Sequence, residues 1–429
     1  MKKVSFRASF ALLMAVLIIV GLAVYVVQYI QNGEKWALYF DESTSDCEYT
    51  ITDRSGKVLA KMGGGSKSYA EDANTRIACY HLTGDYTGNV GTGALNSFRR
   101  QLSGFNLITG VEKREDVTLP LTVDSSLNVK AYEALNGRSG AVMVYNYKTG
   151  EVMCMVSSPS IDPLNPPENL PDGAYINRCL SSTFVPGSVY KLVTLTAALE
   201  NIDNIYQRTF SCGGSLDVKG VTINCTGVHG QQTIEQALSN SCNCAFAEIS
   251  LELGPDIIAD YAEKLGMTTS LKLDSITTAA GNYDKDESKS AAMAWSGIGQ
   301  YNDLVCPYAM MRLSGAIANG GRVVEPSLLG ESKKTSQLIS SDTAQKVAEM
   351  MNYNVVNHYG QSSFPGLNIS AKTGTAETGD GKASHAWFTG FLNDEEHPYA
   401  FVCIVEHGGG GLRAAGSVIN AVLQAAVSK

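Results

Sequence analysis

The chain has no surplus of positive charge. Its 33 Lys and Arg against 42 Asp and Glu leave a formal net charge of −9 over 429 residues. Without an excess of cations to meet phosphates, the charge balance argues against nucleic-acid binding. Internal repeats are absent, and the Gly-rich "KMGGGSKS" is too short to count as low complexity. Charged residues make up 17% and apolar residues 44%, which is a globular composition and not a disordered one. The length suits about two to three domains.

Two cysteine signatures are also missing. Ten cysteines in a chain of this length fall short of the density of a small disulfide scaffold. Zinc-type spacing is absent too: "CNC" at Cys242–Cys244 has one intervening residue and no second pair near it in sequence. Most cysteines therefore read as buried thiols acting as small apolar residues, and no metal site is expected. Cys212 and Cys225 flank the Gly-rich "CGGSLDVKGVTINC", and for these two a disulfide and a pair of free thiols both stay open.

One further absence concerns the N-terminus. Lys2, Lys3 and Arg7 precede a wholly apolar run from Phe10 to Val27, close to the ~20 residues that cross a bilayer as a helix. The run is longer than a signal-peptide core, and "QYIQNGEKW" after it holds no small-x-small cleavage site. The expectation is a cytoplasmic tail over 1–9 and a transmembrane anchor over 10–30. Because the cations precede the run, everything after Gln28 should lie outside the cell membrane.

Residues 31–125 form the next expected unit, a small α+β or mostly β membrane-proximal module with strand-like pieces such as "EYTITDRSGKVLAKM". Residues 126–429 read as one large domain. It opens with a hairpin, "GAVMVYNY" turning through "KTGE" into "VMCMVSS". Helical patterns follow in "VPGSVYKLVTLTAALEN", in "QTIEQALSNSCNCAFAEISLELG" up to Gly254, in "PDIIADYAEKLG", in "PYAMMRLSGAIANGG" and in "SDTAQKVAEMMNYNVV". Strands return in "GLNISAKTGTAE", "HAWFTGFL" and "YAFVCIVEH", before a terminal helix "RAAGSVINAVLQAAV". Strands at both ends with helices between predict one antiparallel sheet covered by helices, an α+β class.

Chemistry concentrates in three short motifs. In "PGSVYK", Ser188 and Lys191 are three apart at a predicted helix start and share one face. A serine hydroxyl needs a base to become a nucleophile, and a neutral Lys191 amine is placed to serve. In "SNSCNCAF", Ser241 and Asn243 sit inside a predicted helix. Lys-Thr-Gly occurs twice. At Lys148, Thr149 and Gly150 it fills the hairpin turn; at Lys372, Thr373 and Gly374 it lies on a late strand that continues through Thr375.

Taken in order, Ser-x-x-Lys, Ser-x-Asn and the second Lys-Thr-Gly resemble the signature set of penicillin-recognising serine enzymes. From about Gly140 onward the chain resembles the transpeptidase domain of penicillin-binding proteins, with "GIGQ", "AIANGGRVVEP" and "HAWFTGF" as further blocks in family order. Only about 100 residues separate anchor from domain, so it resembles the monofunctional class B type. Near the anchor that class shares "RGxIxDRxGxxLA"; here Ile51, Asp53, Arg54, Gly56, Leu59 and Ala60 match, while Glu48 and Tyr49 stand in place of Arg-Gly.

The resemblance implies a five-stranded antiparallel sheet flanked by helices. It implies a D,D-transpeptidase that crosslinks peptidoglycan stem peptides ending in D-Ala-D-Ala for cell shape or division, and that β-lactams acylate. Ser188 would be the nucleophile and Lys191 the base, alone or through Ser241. Asn243 would position Lys191 and the substrate amide, and Lys372 with Thr373, Gly374 and Thr375 would bind the terminal carboxylate. No metal or organic cofactor is implied, and a polytopic glycan polymerase is the implied membrane partner. A D,D-carboxypeptidase is the alternative. A class A β-lactamase would need a Glu-x-x-Leu-Asn block where this chain reads "SITTAAGNYDKDESKS", and a β-lactam sensor would need an output domain that residues 1–9 do not supply.

Overall fold

Helix α1 (Lys2–Thr44) begins the chain, and its stretch Phe6–Gly33 is long and apolar enough to cross a membrane. The computed structural model describes residues 2–44, 48–63, 66–103, 105–106, 110–111, 116–285, 290–379 and 381–428. At about 1.5 Å per residue, these 28 residues span roughly 40 Å. The helix runs on past the expected end of the anchor to Thr44.

The module after it is α+β. Strands Tyr49–Thr52, Val58–Gly63, Ser66–Tyr69 and Val117–Pro120 form one sheet, and Val117–Pro120 pairs in parallel with Tyr49–Thr52. Asp53 ties this sheet to the next domain. Its Oδ1 accepts the backbone N–H of Ser55 and Lys57, both at 2.9 Å, and its Oδ2 accepts the hydroxyl of Ser125 at 2.7 Å. Ser125 opens helix α2 (Ser125–Leu135), so the Asp-Arg turn and the large domain share one buried carboxylate.

Strands β1 (Gly140–Asn146) and β2 (Val152–Ser158) form the expected hairpin. A 3-10 turn, Gly187–Tyr190, leads into α3 (Lys191–Asn201). A small antiparallel region follows, with β3 (Thr209–Cys212), β4 (Ser215–Val218), β5 (Val221–Asn224) and β6 (Gly230–Thr233). Helices α4 (Ile234–Ser239), α5 (Asn243–Lys264), α6 (Pro307–Ala318) and α7 (Ser341–Asn354) come next. Then come β7 (Ile369–Ala376), β8 (His385–Leu392), β9 (Tyr399–Val405) and α8 (Ser417–Val427).

The chain-distant strands assemble as expected into one five-stranded antiparallel sheet, in the order β7-β8-β9-β1-β2. Side chains alternate across it. Val142 and Val144 pack with α2 and α8, while Ala141, Met143 and Tyr145 pack with α6 on the other face. Burial on both faces explains why β1, β2, β8 and β9 read as largely apolar runs. β7 lies at the edge, so among the described residues one side of the second Lys-Thr-Gly strand faces no partner strand.

One element departs from the sequence expectation. The predicted single helix through Ser241 and Asn243 is broken. α4 stops at Ser239, Ser241 takes a left-handed backbone (φ 51°), and Cys242 caps α5 by accepting the N–H of Ala245. Helical periodicity survives such a break, which is why the pattern alone conceals it. α5 also breaks at Gly254 (φ 81°) before Pro255, where the sequence predicts one helix to stop and another to start.

The first Lys-Thr-Gly is a turn. Gly150 has φ 83°, and a Cβ there would lie 2.7 Å from the Glu325 carbonyl oxygen. Lys148 is exposed and donates to Asn319 Oδ1 at 2.8 Å. Gly150→Ala is expected to cost more than about 1 kcal/mol of stability through strain and close approach. Lys148→Ala is expected to cost under about 0.5 kcal/mol. Denaturant unfolding of the two variants checks this; equal stabilities would contradict the turn assignment.

Candidate active site

A cleft of about 650 Å³ opens between β7, the break before α5 and the turn that holds Ser188. Ser188, Ser241, Asn243, Thr373 and Thr375 line it. Three glycines allow this approach. A Cβ on Gly187 (φ 55°) would meet the Thr375 carbonyl oxygen at 2.7 Å, and one on Gly374 would meet the Pro186 carbonyl oxygen at 2.8 Å. Gly299, in "GIGQ", accepts the Gly187 N–H at 2.8 Å, and a Cβ there would lie 2.2 Å from the Gly187 carbonyl oxygen. Trp387 Nε1 donates to the Val185 carbonyl at 2.9 Å and ties β8 to the same segment. Gly374 thus serves by having no side chain, so that β7 can lie against the Ser188 turn.

Lys191 is fully buried at the floor of the cleft. Its Nζ is 2.9 Å from Ser188 Oγ, 2.8 Å from the Ser241 carbonyl oxygen, 3.2 Å from Ser241 Oγ and 2.8 Å from Asn243 Oδ1. The broken helix makes this possible, because a Ser241 carbonyl inside a helix would be engaged with the backbone. Asn243 Nδ2 donates to the Asn224 carbonyl at 2.8 Å, which turns Oδ1 toward Lys191. A neutral amine has two N–H groups and one lone pair. The Ser241 carbonyl and Asn243 Oδ1 can only accept, so they take the N–H groups and leave the lone pair for the Ser188 hydroxyl.

Lys372 is also fully buried. Its Nζ donates to Ser241 Oγ at 3.0 Å and to the Thr373 carbonyl at 3.0 Å. Ser241 Oγ is therefore the shared partner of both lysines. Burial pulls the Lys191 amine down to about 7. It pulls Lys372 well below the usual amine range, and the Lys191 charge adds to the effect. Repulsion between the lysines is thus the lesser cause of neutrality, and burial the greater.

The eight residues singled out from the sequence therefore converge, and Lys148 does not join them. Sequence reading missed Tyr359, whose buried hydroxyl accepts the Thr373 N–H at 3.0 Å and lies 3.1 Å from Thr373 Oγ1. It also missed Trp295, Gln300, His358 and Glu377 on the cleft wall; Gln300 closes the "GIGQ" block and Glu377 ends the Lys-Thr-Gly strand segment, but neither was singled out as a site residue. Cys212 and Cys225 are both free thiols, and the disulfide reading does not hold. The Cys225 sulfur instead faces Cys242 and His229, with Sγ–Sγ and Sγ–Nδ1 distances of 3.7 and 3.6 Å.

The sequence pattern of the penicillin binding protein transpeptidase domain matches residues 140–424. The chain is 26% identical over 372 residues to the peptidoglycan D,D-transpeptidase PbpA of Mycobacterium tuberculosis, covering 77% of this chain and 75% of that protein. It is 28% identical over 298 residues to stage V sporulation protein D of Bacillus subtilis, covering 63% and 46%. Penicillin-binding protein A from M. tuberculosis, solved as a ceftriaxone acyl-enzyme complex, matches with a TM-score of 0.76 at 24% identity, over 90% of this chain and 99% of that one. The D,D-transpeptidase domain of a peptidoglycan glycosyltransferase from Eggerthella lenta matches with a TM-score of 0.75, also at 24% identity and over 90% and 99%. These structures share the fold, and the sequence match over two-thirds of the chain settles the family: the chain belongs to the penicillin-binding protein transpeptidases, which are serine acyl-transfer enzymes.

Proposed function

We propose that this chain is a peptidoglycan D,D-transpeptidase that works through a Ser188 acyl-enzyme and is acylated by β-lactams. The observation that carries the reading is the Lys191 amine, 2.9 Å from Ser188 Oγ and otherwise met by acceptors. Ser188 Oγ attacks the carbonyl carbon of the penultimate D-Ala, and its proton passes to Lys191 Nζ. Backbone N–H groups of Ser188 and of Thr375, on the exposed edge strand, receive the oxyanion; one such donor is typically worth about 3–4 kcal/mol. Lys372, Thr373 and Thr375 hold the terminal carboxylate. The C–N bond then breaks, and the leaving D-Ala nitrogen takes a proton relayed through Ser241 Oγ. An amine of a neighbouring stem attacks the ester, loses a proton to the same base and forms the crosslink, which regenerates the Ser188 hydroxyl.

The anchor is proposed to cross the membrane once within Phe6–Gly33, with the cations inside and the catalytic domain outside. The proposed units remain a tail over 1–9, an anchor over 10–30, a membrane-proximal module over 31–125 and a transpeptidase domain over 126–429. A polytopic glycan polymerase is the proposed membrane partner. Support for a protein partner comes from the complex of penicillin-binding protein PBP2 with MreC from Helicobacter pylori, which matches this chain with a TM-score of 0.65 at 22% identity.

Two experiments test the reading. The detergent-solubilised chain is expected to form a covalent adduct with a fluorescent penicillin, and Ser188→Ala is expected to abolish it without loss of folding. Labelling that persists in Ser188→Ala sinks the nucleophile assignment. In the second, Lys372→Ala is expected to slow penicillin acylation at least about a hundredfold, because a buried amine that donates to Ser241 Oγ and to the substrate carboxylate is lost. Lys148→Ala is expected to leave the second-order rate unchanged. Equal losses in the two variants would overturn the choice between the two Lys-Thr-Gly motifs.

A further inference from the structure

Cys212 at the end of β3, Cys225 just after β5, His229 just before β6 and Cys242 at the cap of α5 converge beside the cleft. Their donor atoms all lie within 4.8 Å of one another. Two of these separations match one bonding pattern and exclude another. A disulfide needs about 2.05 Å between sulfurs, and Cys225 and Cys242 stand 3.7 Å apart. A tetrahedral zinc with Zn–S near 2.3 Å and Zn–N near 2.0–2.1 Å places two sulfurs about 3.8 Å apart, and a sulfur and a nitrogen about 3.6 Å apart. The observed Cys225 Sγ to His229 Nδ1 distance is 3.6 Å.

The surroundings fit thiolate ligands. Backbone N–H groups point at the sulfurs, from Asn243 to Cys225 at 3.2 Å and from Ala245 to Cys242 at 3.5 Å. Cys212 and Cys242 are buried. Cys212 Sγ lies 3.5 Å from the Gly227 carbonyl oxygen, where a thiol proton sits until a metal replaces it. Three cysteines and one histidine, with four ligands and no open position, form a structural zinc set and not a hydrolytic one.

We propose that Cys212, Cys225, His229 and Cys242 bind one zinc ion, and that this ion locks the Ser-x-Asn motif in place. On binding, the three thiols release three protons to solvent, and His229 coordinates as the neutral imidazole through Nδ1. Cys242 is the middle residue of the motif, between Ser241 and Asn243. The ion joins it to the β3–β6 region, which already receives Asn243 through the Asn224 carbonyl and Cys225 Sγ. The four ligands are thus positioning residues, acting through Ser241 and Asn243 on Lys191. The metal site stands independently of the transpeptidase reading; only its effect on acylation rests on that reading.

The test is metal content. The full chain is purified in detergent with a thiol reductant and without chelators, and zinc is measured by mass spectrometry of the digested protein. About one zinc per chain is expected. Zinc content is expected to fall at least fivefold in Cys225→Ser and His229→Ala and to persist in Cys403→Ala, whose thiol is buried in the central sheet. Cobalt(II) in place of zinc is expected to show thiolate charge-transfer and tetrahedral ligand-field bands, a readout that needs neither activity nor a folded variant. Stripping zinc is expected to slow penicillin acylation at least tenfold, with readdition restoring it. A chain without zinc or cobalt binding whose four cluster residues are unmodified overturns the proposal. So does a native disulfide among Cys212, Cys225 and Cys242.

Discussion

Two lysine side chains fully buried within one hydrogen bond of the same serine hydroxyl are the constraint on which the rest of the site depends. Burying an ammonium group without partners is costly, and burying two side by side is worse. Among the described residues, neither Lys191 nor Lys372 has a carboxylate within ion-pair distance. What the fold supplies instead are neutral acceptors: two carbonyls, an amide oxygen and hydroxyls. Such a shell tolerates charge and does not hold it, so each amine is drawn toward its neutral form near neutral pH. A neutral amine is what a serine nucleophile needs beside it.

Meeting that constraint dictates the local backbone. The Ser241 carbonyl is free for Lys191 because the helix breaks there, in a left-handed turn that costs a serine more than it costs glycine. The strain persists only if the surroundings over-determine the turn. The Cys242 cap on α5, the Asn243 amide fixed on Asn224 and the cysteine–histidine cluster around Cys225 all bear on these three residues. On the other side, Gly187, Gly299 and Gly374 let the Ser188 turn, the "GIGQ" segment and β7 touch backbone to backbone. The catalytic geometry is therefore a packing outcome as much as a hydrogen-bonding one.

Sequence legibility followed the physics of each element. Four of the five strands of the sheet were readable because burial on both faces leaves long apolar runs, the edge strand β7 was marked by its Lys-Thr-Gly motif, and their pairing followed from strands at both ends of the domain. Ser188, Lys191 and Lys372 were readable as motifs, and the order of the motifs separated Lys372 from Lys148. The break at Ser241 was not readable, since helical spacing continues through it. The Cys212–Cys225–His229–Cys242 cluster was not readable either: its ligands come from two strand ends, a loop and a helix cap, so their spacing in sequence resembles no metal motif. Tyr359 was hidden for the same reason, as it reaches Thr373 from a turn of a different element.

The central claim is that Lys191 is the base and that burial, with its ring of neutral acceptors, holds it close to neutrality. The most direct measurement is the second-order rate of penicillin acylation of the unmodified chain across roughly pH 5 to 10. If Lys191 titrates near 7, the rate is low where the amine is protonated, rises with an apparent pKa close to 7 and then levels off. A rate that rises only near the ordinary lysine value of about 10.4, or one that is flat from pH 5 to 8, would contradict the account.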